Sequence, residues 1–222
     1  MGSFDILITY QSILSLYIFW LIPRLEKPYK VLIGALLAGY FVSFVSQVRF
    51  TYSTPWVYHN LLGNLYFVSY VFLNLLFFKW QFKDRYFSRL LIVACILLPL
   101  IILVRDIYFG LMFNSVINNT LIMQVGIILI IAACLRVLFL FIKRVDEVEL
   151  YKKAEFWMIV SMLLYNSLYF VHFGLLNLRL RLNSNFGIDY YNSYHVTIVI
   201  IFELTILLIV GKIGLKKELS TR

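Results

Sequence analysis

Long apolar stretches occupy most of the chain, and they constrain its fold more than any other feature of the sequence. A helix that crosses a lipid bilayer needs about 20 predominantly apolar residues, and seven stretches approach that length. A continuous run such as Leu90–Val104 lacks the alternation of membrane-barrel strands. The sequence therefore predicts an all-α, polytopic membrane protein with seven transmembrane helices. The predicted spans are Phe4–Ile22, Tyr29–Val48, Leu61–Phe78, Phe87–Leu103, Leu121–Ile142, Ala154–Leu176 and His195–Ile213.

The composition excludes a soluble or disordered protein. Hydrophobic residues make up 62% of the 222 residues and charged residues 14%, whereas a soluble domain is about 25% charged. The segments between the spans are too short to fold as separate domains. The first span lacks the basic region and the small-residue cleavage site of a signal peptide, so it is interpreted as a retained helix. We expect residues 1–222 to form a single seven-helix transmembrane domain with no soluble domain.

Basic residues are distributed unevenly between the two sets of loops. Fifteen of the 20 lysines and arginines lie in the first, third and fifth loops and the C-terminal tail. Four lie in the loops on the opposite side, namely Arg49, Arg105, Arg179 and Arg181. Cytoplasmic loops carry the excess of basic residues, so the N-terminus is predicted outside and the C-terminus in the cytoplasm. Anionic lipid at the cytoplasmic surface accounts for the net charge of +9 without a nucleic-acid partner.

Two ionisable residues stand out inside the predicted spans, where a charge is costly. Arg136 lies near the cytoplasmic end of helix 5, so its long side chain is expected to reach the headgroups. Glu203 lies deeper, about 12 Å from the outer end of helix 7, and is too short to do the same. It must be protonated, hydrogen-bonded or beside water. Asn166, His172 and Gln11 are its predicted partners.

Further polar residues share the outer half of the predicted helices, whereas the inner half is mostly apolar. Tyr165, Tyr169 and His172 are spaced i, i+4, i+7 and therefore lie on one face of helix 6. This asymmetry predicts an outward-facing polar pocket above an apolar floor. Hydrogen bonding between helices is an equally favoured explanation. The predicted pocket residues are Glu203, His172, Asn166, Tyr169, Tyr165, Gln11, Ser43, Gln47 and Asn64.

The predicted outer loops are rich in aromatic and polar residues, and they are long enough to fold over a cavity mouth. They are Arg49–Asn60, Val104–Thr120 and Arg179–Tyr194. The second contains a glycosylation sequon, Asn118-Asn119-Thr120, but nothing else indicates a secretory-pathway host. The expected location is the bacterial cytoplasmic membrane.

Signatures of catalysis and of cofactor binding are missing. The sequence contains no glycine-rich phosphate loop, no GxSxG and no HExxH, and the three histidines do not have metal-ligand spacing. The layout resembles that of G-protein-coupled receptors and microbial rhodopsins in topology alone. Lys212 is the only lysine in helix 7 and lies at its cytoplasmic end, which excludes a retinal Schiff base. No catalytic residue, metal or cofactor is therefore predicted.

Three classes of function remain after these exclusions. The favoured one is a non-enzymatic sensor or signalling subunit that acts through a separate cytoplasmic or membrane protein, as a homo- or hetero-oligomer. The second is a structural subunit whose aromatic residues Phe67, Tyr70, Phe77 and Phe78 contact partner helices. The third is a small-molecule transporter or a lipid-modifying enzyme that uses Glu203. For the first class, the predicted cytoplasmic docking residues are Lys83, Arg85, Lys143, Arg144, Lys216 and Lys217.

Overall fold

The structure is a computed structural model. It describes the backbone of residues 3–52, 56–104, 120–144, 153–182 and 188–220. Side chains are described for residues 9–41, 64–104, 122–143, 153–175 and 196–214.

The described backbone contains seven α-helices and no strand, which confirms the predicted all-α class. A short 3-10 turn, Ile22–Arg24, joins the first two helices, and Pro23 lies within it. Pro28 lies in the first turn of the second helix, where its missing N–H costs no hydrogen bond. The helices are α1 Ser3–Leu21, α2 Lys27–Tyr52, α3 Trp56–Phe82, α4 Arg85–Ile101, α5 Thr120–Arg144, α6 Ala154–Leu182 and α7 Ile188–Ser220.

Five of these helices are long and apolar enough to cross a membrane, so the protein is an integral membrane protein. In α1 and α2, side chains are described only for residues 9–21 and 27–41. Each of these stretches is shorter than the roughly 20 residues that a full crossing needs, so neither helix is among the five. The five segments are Asn64–Phe82, Arg85–Val104, Ile122–Lys143, Ala154–Leu175 and Val196–Gly214.

Six of the helices form a ring, and α4 lies outside it. Neighbours around the ring are α1, α2, α3, α5, α6 and α7, and packing of α7 against α1 closes it. The outer helix α4 packs against α3 and α5. Its peripheral position explains why 17% of its crossing segment is buried, against 50% for α7. One continuous buried core nevertheless takes residues from all seven helices.

Several helices continue beyond the apolar stretches that predicted them. The predicted outer loop Arg179–Tyr194 is helical up to Leu182 and again from Ile188. The predicted loop Arg49–Asn60 is helical over residues 49–52 and 56–60. These loop boundaries were wrong because the bilayer limits the length of the apolar segment, whereas backbone hydrogen bonding continues into water. Most of the third predicted loop lies outside the described residues.

The surface around the bundle is apolar, as expected for side chains in contact with lipid. Leu16, Ile142 and Leu208 are each more than 70% exposed. The aromatic residues expected to contact partner helices behave differently. Phe67, Tyr70, Phe77 and Phe78 are all buried within the single chain. That expectation was wrong because a sequence without amphipathic contrast does not distinguish the face toward lipid from the face toward the bundle.

One end of the bundle collects the basic residues. The α1–α2 turn, the α3–α4 turn and the start of α6 lie together there, since Tyr29 contacts both Gln81 and Glu155. Two exposed basic side chains, Lys27 and Arg85, belong to the same end. We call it the basic end, and the other the opposite end.

Candidate functional site

Glu203 is the centre of the candidate site. Its side chain is 5% exposed and lies seven residues after Val196, the start of the apolar segment of α7. At 1.5 Å per residue, Glu203 is about 10 Å below the opposite end of that segment. A carboxylate at this depth loses hydration that only specific partners can replace.

The carboxylate is held from α1. Gln11 donates a hydrogen bond from Nε2 to Oε1 of Glu203 at 3.3 Å, and both side chains are buried. One helical turn away on α7, the backbone oxygen of Ile200 accepts a hydrogen bond from the Tyr10 hydroxyl, also at 3.3 Å. These two contacts fix the register of α1 against α7. Gln11 is therefore the one predicted partner of Glu203 that the structure places in contact with it.

Phenols from three helices lie within electrostatic range of the carboxyl group. They are Tyr10, Tyr40 and Tyr66, from α1, α2 and α3. The Tyr40 hydroxyl faces the carboxylate but falls short of a full hydrogen bond, so Oε2 of Glu203 and the Tyr40 oxygen have no partner. Tyr66 approaches Gly39 so closely that a Cβ there would lie 2.8 Å from its hydroxyl. A side chain at position 39 would displace Tyr66 from the site.

The predicted face of α6 forms a continuous set of ring contacts. The Tyr165 ring lies 4.7 Å from that of Tyr169, which lies 5.8 Å from that of His172. Tyr165 also stacks on Phe202, the residue preceding Glu203, at 3.8 Å and 15°. The helical spacing therefore identified a real face, and this face reaches Glu203 through Phe202.

Asn166 takes a different role from the predicted one. It is fully buried and donates to the backbone oxygen of Met162 on its own helix, and it interacts with Tyr70 on α3. Among the described residues, neither Asn166 nor His172 hydrogen-bonds to Glu203. The expectation that α6 supplies the direct partners of the carboxylate was wrong. Both α1 and α6 are neighbours of α7, but α6 presents Tyr165 to Phe202, whereas α1 presents Gln11 to Glu203.

The structure describes the side chains of some of the other predicted pocket residues but not of all of them. Asn64 and His172 are both buried. The side chains of Ser43 and Gln47 lie outside the described residues. Whether these positions form a ligand pocket stays a prediction.

A face of α3 that the sequence analysis missed crosses the interior. Apart from the adjacent pair Phe77 and Phe78, its members follow one another at intervals of three or four residues, which is the period of one helical face. They run from phenols near Glu203, through a buried amide, to aromatic rings and a polar residue at the basic end. The residues are Tyr66, Tyr70, Asn74, Phe77, Phe78 and Gln81. Their spacing was the signal that could have found them.

Aromatic rings fill the bundle between this site and the basic end. The ring centroid of Phe78 lies 5.7 Å from that of Phe87 on α4, and the ring centroid of Phe82 lies 5.8 Å from that of Phe141 on α5. Phe77 and Phe78 themselves are 5.4 Å apart and fully buried. These rings are the apolar packing expected for the inner half.

Arg136 is held by an ion pair that the sequence did not predict. Its Nη2 lies 2.8 Å from Oδ2 of Asp84, and its Nε donates to the same oxygen at 3.1 Å. The other carboxylate oxygen of Asp84 accepts from the backbone N–H of Tyr86, which caps the N-terminus of α4. The sequence predicted that Arg136 reaches the headgroups and did not predict its pairing with Asp84. The α3–α4 turn places Asp84 beside α5.

A second polar cluster joins three helices at the basic end. Gln81 donates to the Tyr29 hydroxyl at 3.1 Å, and that hydroxyl donates to Glu155 at 3.4 Å. Lys27 lies above the Trp80 ring at 4.4 Å. These contacts hold α2, α3 and α6 together beneath the aromatic rings.

The predicted docking residues lie toward the basic end. Lys83, Arg85 and Lys143 are exposed. Lys83 has a positive φ of 51°, so the chain turns there between α3 and α4. Arg144, Lys216 and Lys217 belong to helices, and their side chains lie outside the described residues.

Acidic, histidine and cysteine side chains do not assemble a metal site within the described part of the chain. Comparison with known protein families, with curated proteins and with solved structures gives no match.

Proposed function

We propose that the chain is a non-enzymatic seven-helix membrane protein, a sensor or signalling subunit that binds a ligand in the interior around Glu203. In this proposal all seven helices cross the cytoplasmic membrane of a bacterium, with the N-terminus outside. The basic end then faces the cytoplasm and docks a separate protein. The ligand enters from the opposite end.

The burial of Glu203 carries the proposal. A buried carboxylate in a membrane segment is costly and is retained when it serves a function. A purely structural role would be served as well by an apolar residue, since replacing both members of a buried hydrogen-bonded pair by apolar groups costs little. Within the described residues no lysine, arginine or histidine forms an ion pair with Glu203. Its carboxyl group therefore remains available to a ligand.

The helices that hold Glu203 also supply a route to the cytoplasmic side. Helix α7 runs without a break from Ile188 to Ser220, through the site and beyond the apolar segment. A ligand that alters the Gln11–Glu203 contact changes how α1 packs on α7. Because a helix moves as a rigid body, a change of this kind reaches the basic end without a soluble output domain.

Co-purification tests the docking part of this proposal. The parent chain, a basic-end variant carrying Arg85→Glu and Lys143→Glu, and Glu203→Gln are each purified from native membranes in mild detergent. Quantitative mass spectrometry measures any stoichiometric partner. We expect the amount of partner that co-purifies with the basic-end variant to fall by more than about tenfold. A tenfold loss of affinity corresponds to about 1.4 kcal/mol of binding free energy. Glu203→Gln retains it, because the site is remote from the docking surface.

Two results would contradict the proposal. One is a parent chain that purifies without a partner at near-equal amount. The other is a solute flux across vesicles containing the pure protein that Glu203→Gln abolishes, which would favour a transporter.

A further inference from the structure

Most of the buried polar side-chain atoms without a hydrogen-bond partner in the described part of the chain are oxygens, and the one exception is Nδ1 of His172. Six buried side-chain oxygens in the described part of the chain have no hydrogen-bond partner. Three of them belong to the Glu203 site, on Glu203 itself and on its two neighbours Gln11 and Tyr40. We propose that this site binds the primary ammonium group of a small organic cation. The inference rests on the proposed function and names its ligand class.

The count of donors and acceptors favours an ammonium group. Gln11 uses its Nε2 donor on Glu203 Oε1, which leaves Gln11 Oε1 and Glu203 Oε2 as acceptors. The Tyr40 oxygen supplies a third acceptor. A primary ammonium carries three N–H donors and no acceptor. It therefore matches the three oxygens one for one.

The charges around the site favour a cation. Among the residues whose side chains are described, those of α1 carry no charge, and Glu203 is the only acidic residue of α7. Lys27, Lys79, Lys153 and Lys212 all lie toward the basic end of their helices. His172 on α6 is a described basic side chain toward the opposite end. Its ring contacts that of Tyr169 and does not contact Glu203. A bound ammonium would therefore supply the cation that no described side chain provides to this carboxyl group.

Aromatic rings distinguish an organic cation from a metal ion. Tyr10, Tyr40 and Tyr66 lie within electrostatic range of the carboxyl group, and the faces of aromatic rings attract organic cations. A hard metal ion requires about six oxygen ligands. The described residues around Glu203 provide one carboxylate, one amide oxygen and phenols, and they form no cluster of acidic, histidine or cysteine ligands.

Binding is measured with the full chain in lipid nanodiscs near neutral pH and at constant ionic strength. The probe is butylammonium chloride, read out as the rise in thermal midpoint Tm with concentration. Butanol tests the same carbon chain without charge, tetramethylammonium chloride tests charge without N–H donors, and sodium chloride tests a metal cation. We expect a saturable rise in Tm with butylammonium that exceeds the rise with each of the other three.

Matched variants assign the binding to Glu203. Glu203→Gln keeps the shape of the side chain and removes its charge, so the Kd for butylammonium should rise at least about tenfold. Tyr40→Phe removes one acceptor and should raise the Kd by about threefold to tenfold. Glu155→Gln makes the same chemical change at the basic end and should leave the Kd unchanged.

A covalent measurement covers the case in which Glu203→Gln does not fold. A membrane-permeant carbodiimide activates a buried carboxyl group of the parent chain, and a bound amine then displaces the urea to form an amide. Peptide mass spectrometry should find the butylamide on Glu203 in preference to Glu155.

Three outcomes overturn the inference. The first is an equal response to butylammonium and tetramethylammonium, and the second is a response to sodium alone. The third is an unchanged Kd in Glu203→Gln. If butylammonium fails to bind while the basic-end variant still releases a stoichiometric partner, the ligand class is wrong and the proposed function survives.

Discussion

Glu203 and Gln11 form a buried, hydrogen-bonded pair of side chains that joins α1 to α7. Each member satisfies one polar atom of the other, and each retains one oxygen without a partner. The energetic consequence is asymmetric. Removing one member leaves the other buried and unsatisfied, whereas removing both leaves no orphaned group.

The first prediction compares substitutions of this pair. Glu203→Gln should fold with a Tm near that of the parent, because the amide preserves shape and can still accept from Gln11. Glu203→Leu should lose about 1–3 kcal/mol, since Gln11 Nε2 loses its acceptor. The double variant Gln11→Leu/Glu203→Leu should recover part of that loss. Thermal unfolding of purified protein in one detergent measures all three. If Glu203→Leu is as stable and as active as the parent, the site hypothesis fails.

Helices α3 and α5 approach each other closely at Gly126. A Cβ at this position would lie 2.5 Å from Cγ2 of Val71 and 2.6 Å from Cε1 of Phe67, and both neighbours are buried. Small residues at such crossings let membrane helices pack tightly. The contact fixes α3, and with it Tyr66 and Tyr70, against the rest of the ring.

The second prediction concerns this crossing. Gly126→Ala should destabilise the fold by about 1–3 kcal/mol, because the extra methyl group overpacks a filled core. The control is Gly34→Ala on α2, where a Cβ would meet nothing within 4 Å. That control should be neutral or stabilising by up to about 1 kcal/mol. Equal Tm values for the two variants would show that α3 and α5 are not in contact at Gly126.

The third prediction concerns the start of α4, where Asp84 both caps the helix and pairs with Arg136. Asp84→Ala removes both interactions and should cost about 1–2 kcal/mol. Asp84→Asn keeps a capping oxygen and loses the charge, so it should cost about as much as Arg136→Ala, less than about 1 kcal/mol. The pair is partly exposed, with 36% of the Arg136 side chain accessible. High salt should therefore reduce the difference in stability between Asp84→Asn and the parent chain. An equal Tm for Asp84→Ala and Asp84→Asn would exclude the capping role.

At the scale of the whole molecule, the antiparallel helices place the basic turns at one end. The described part of the bundle has apolar sides and one end rich in basic residues, so its axis follows from the exposed side chains. Which end faces the cytoplasm depends on the excess of lysine and arginine in the loops.

The fourth prediction tests this orientation. A cysteine at position 184, as Ser184→Cys, should react with a membrane-impermeant thiol reagent in intact cells, whereas Ser220→Cys should react only after the cells are opened. The parent chain is the control, because Cys95 and Cys134 lie inside α4 and α5. Labelling in the reverse pattern would invert the topology and move the proposed ligand entry to the cytoplasm.

The sequence alone determined that the chain is a bundle of apolar helices, because segment length and hydropathy are local properties. It also identified Glu203 as a buried carboxylate and the Tyr165–His172 face of α6, since a helical period can be read along one segment. Tertiary structure decided which helices are neighbours. It placed α4 outside the ring, joined Glu203 to Gln11 and joined Arg136 to Asp84. These pairings are separated by 192 and 52 residues along the chain. In uniformly apolar helices no amphipathic pattern marks the inward face, so packing alone sets which polar residues meet.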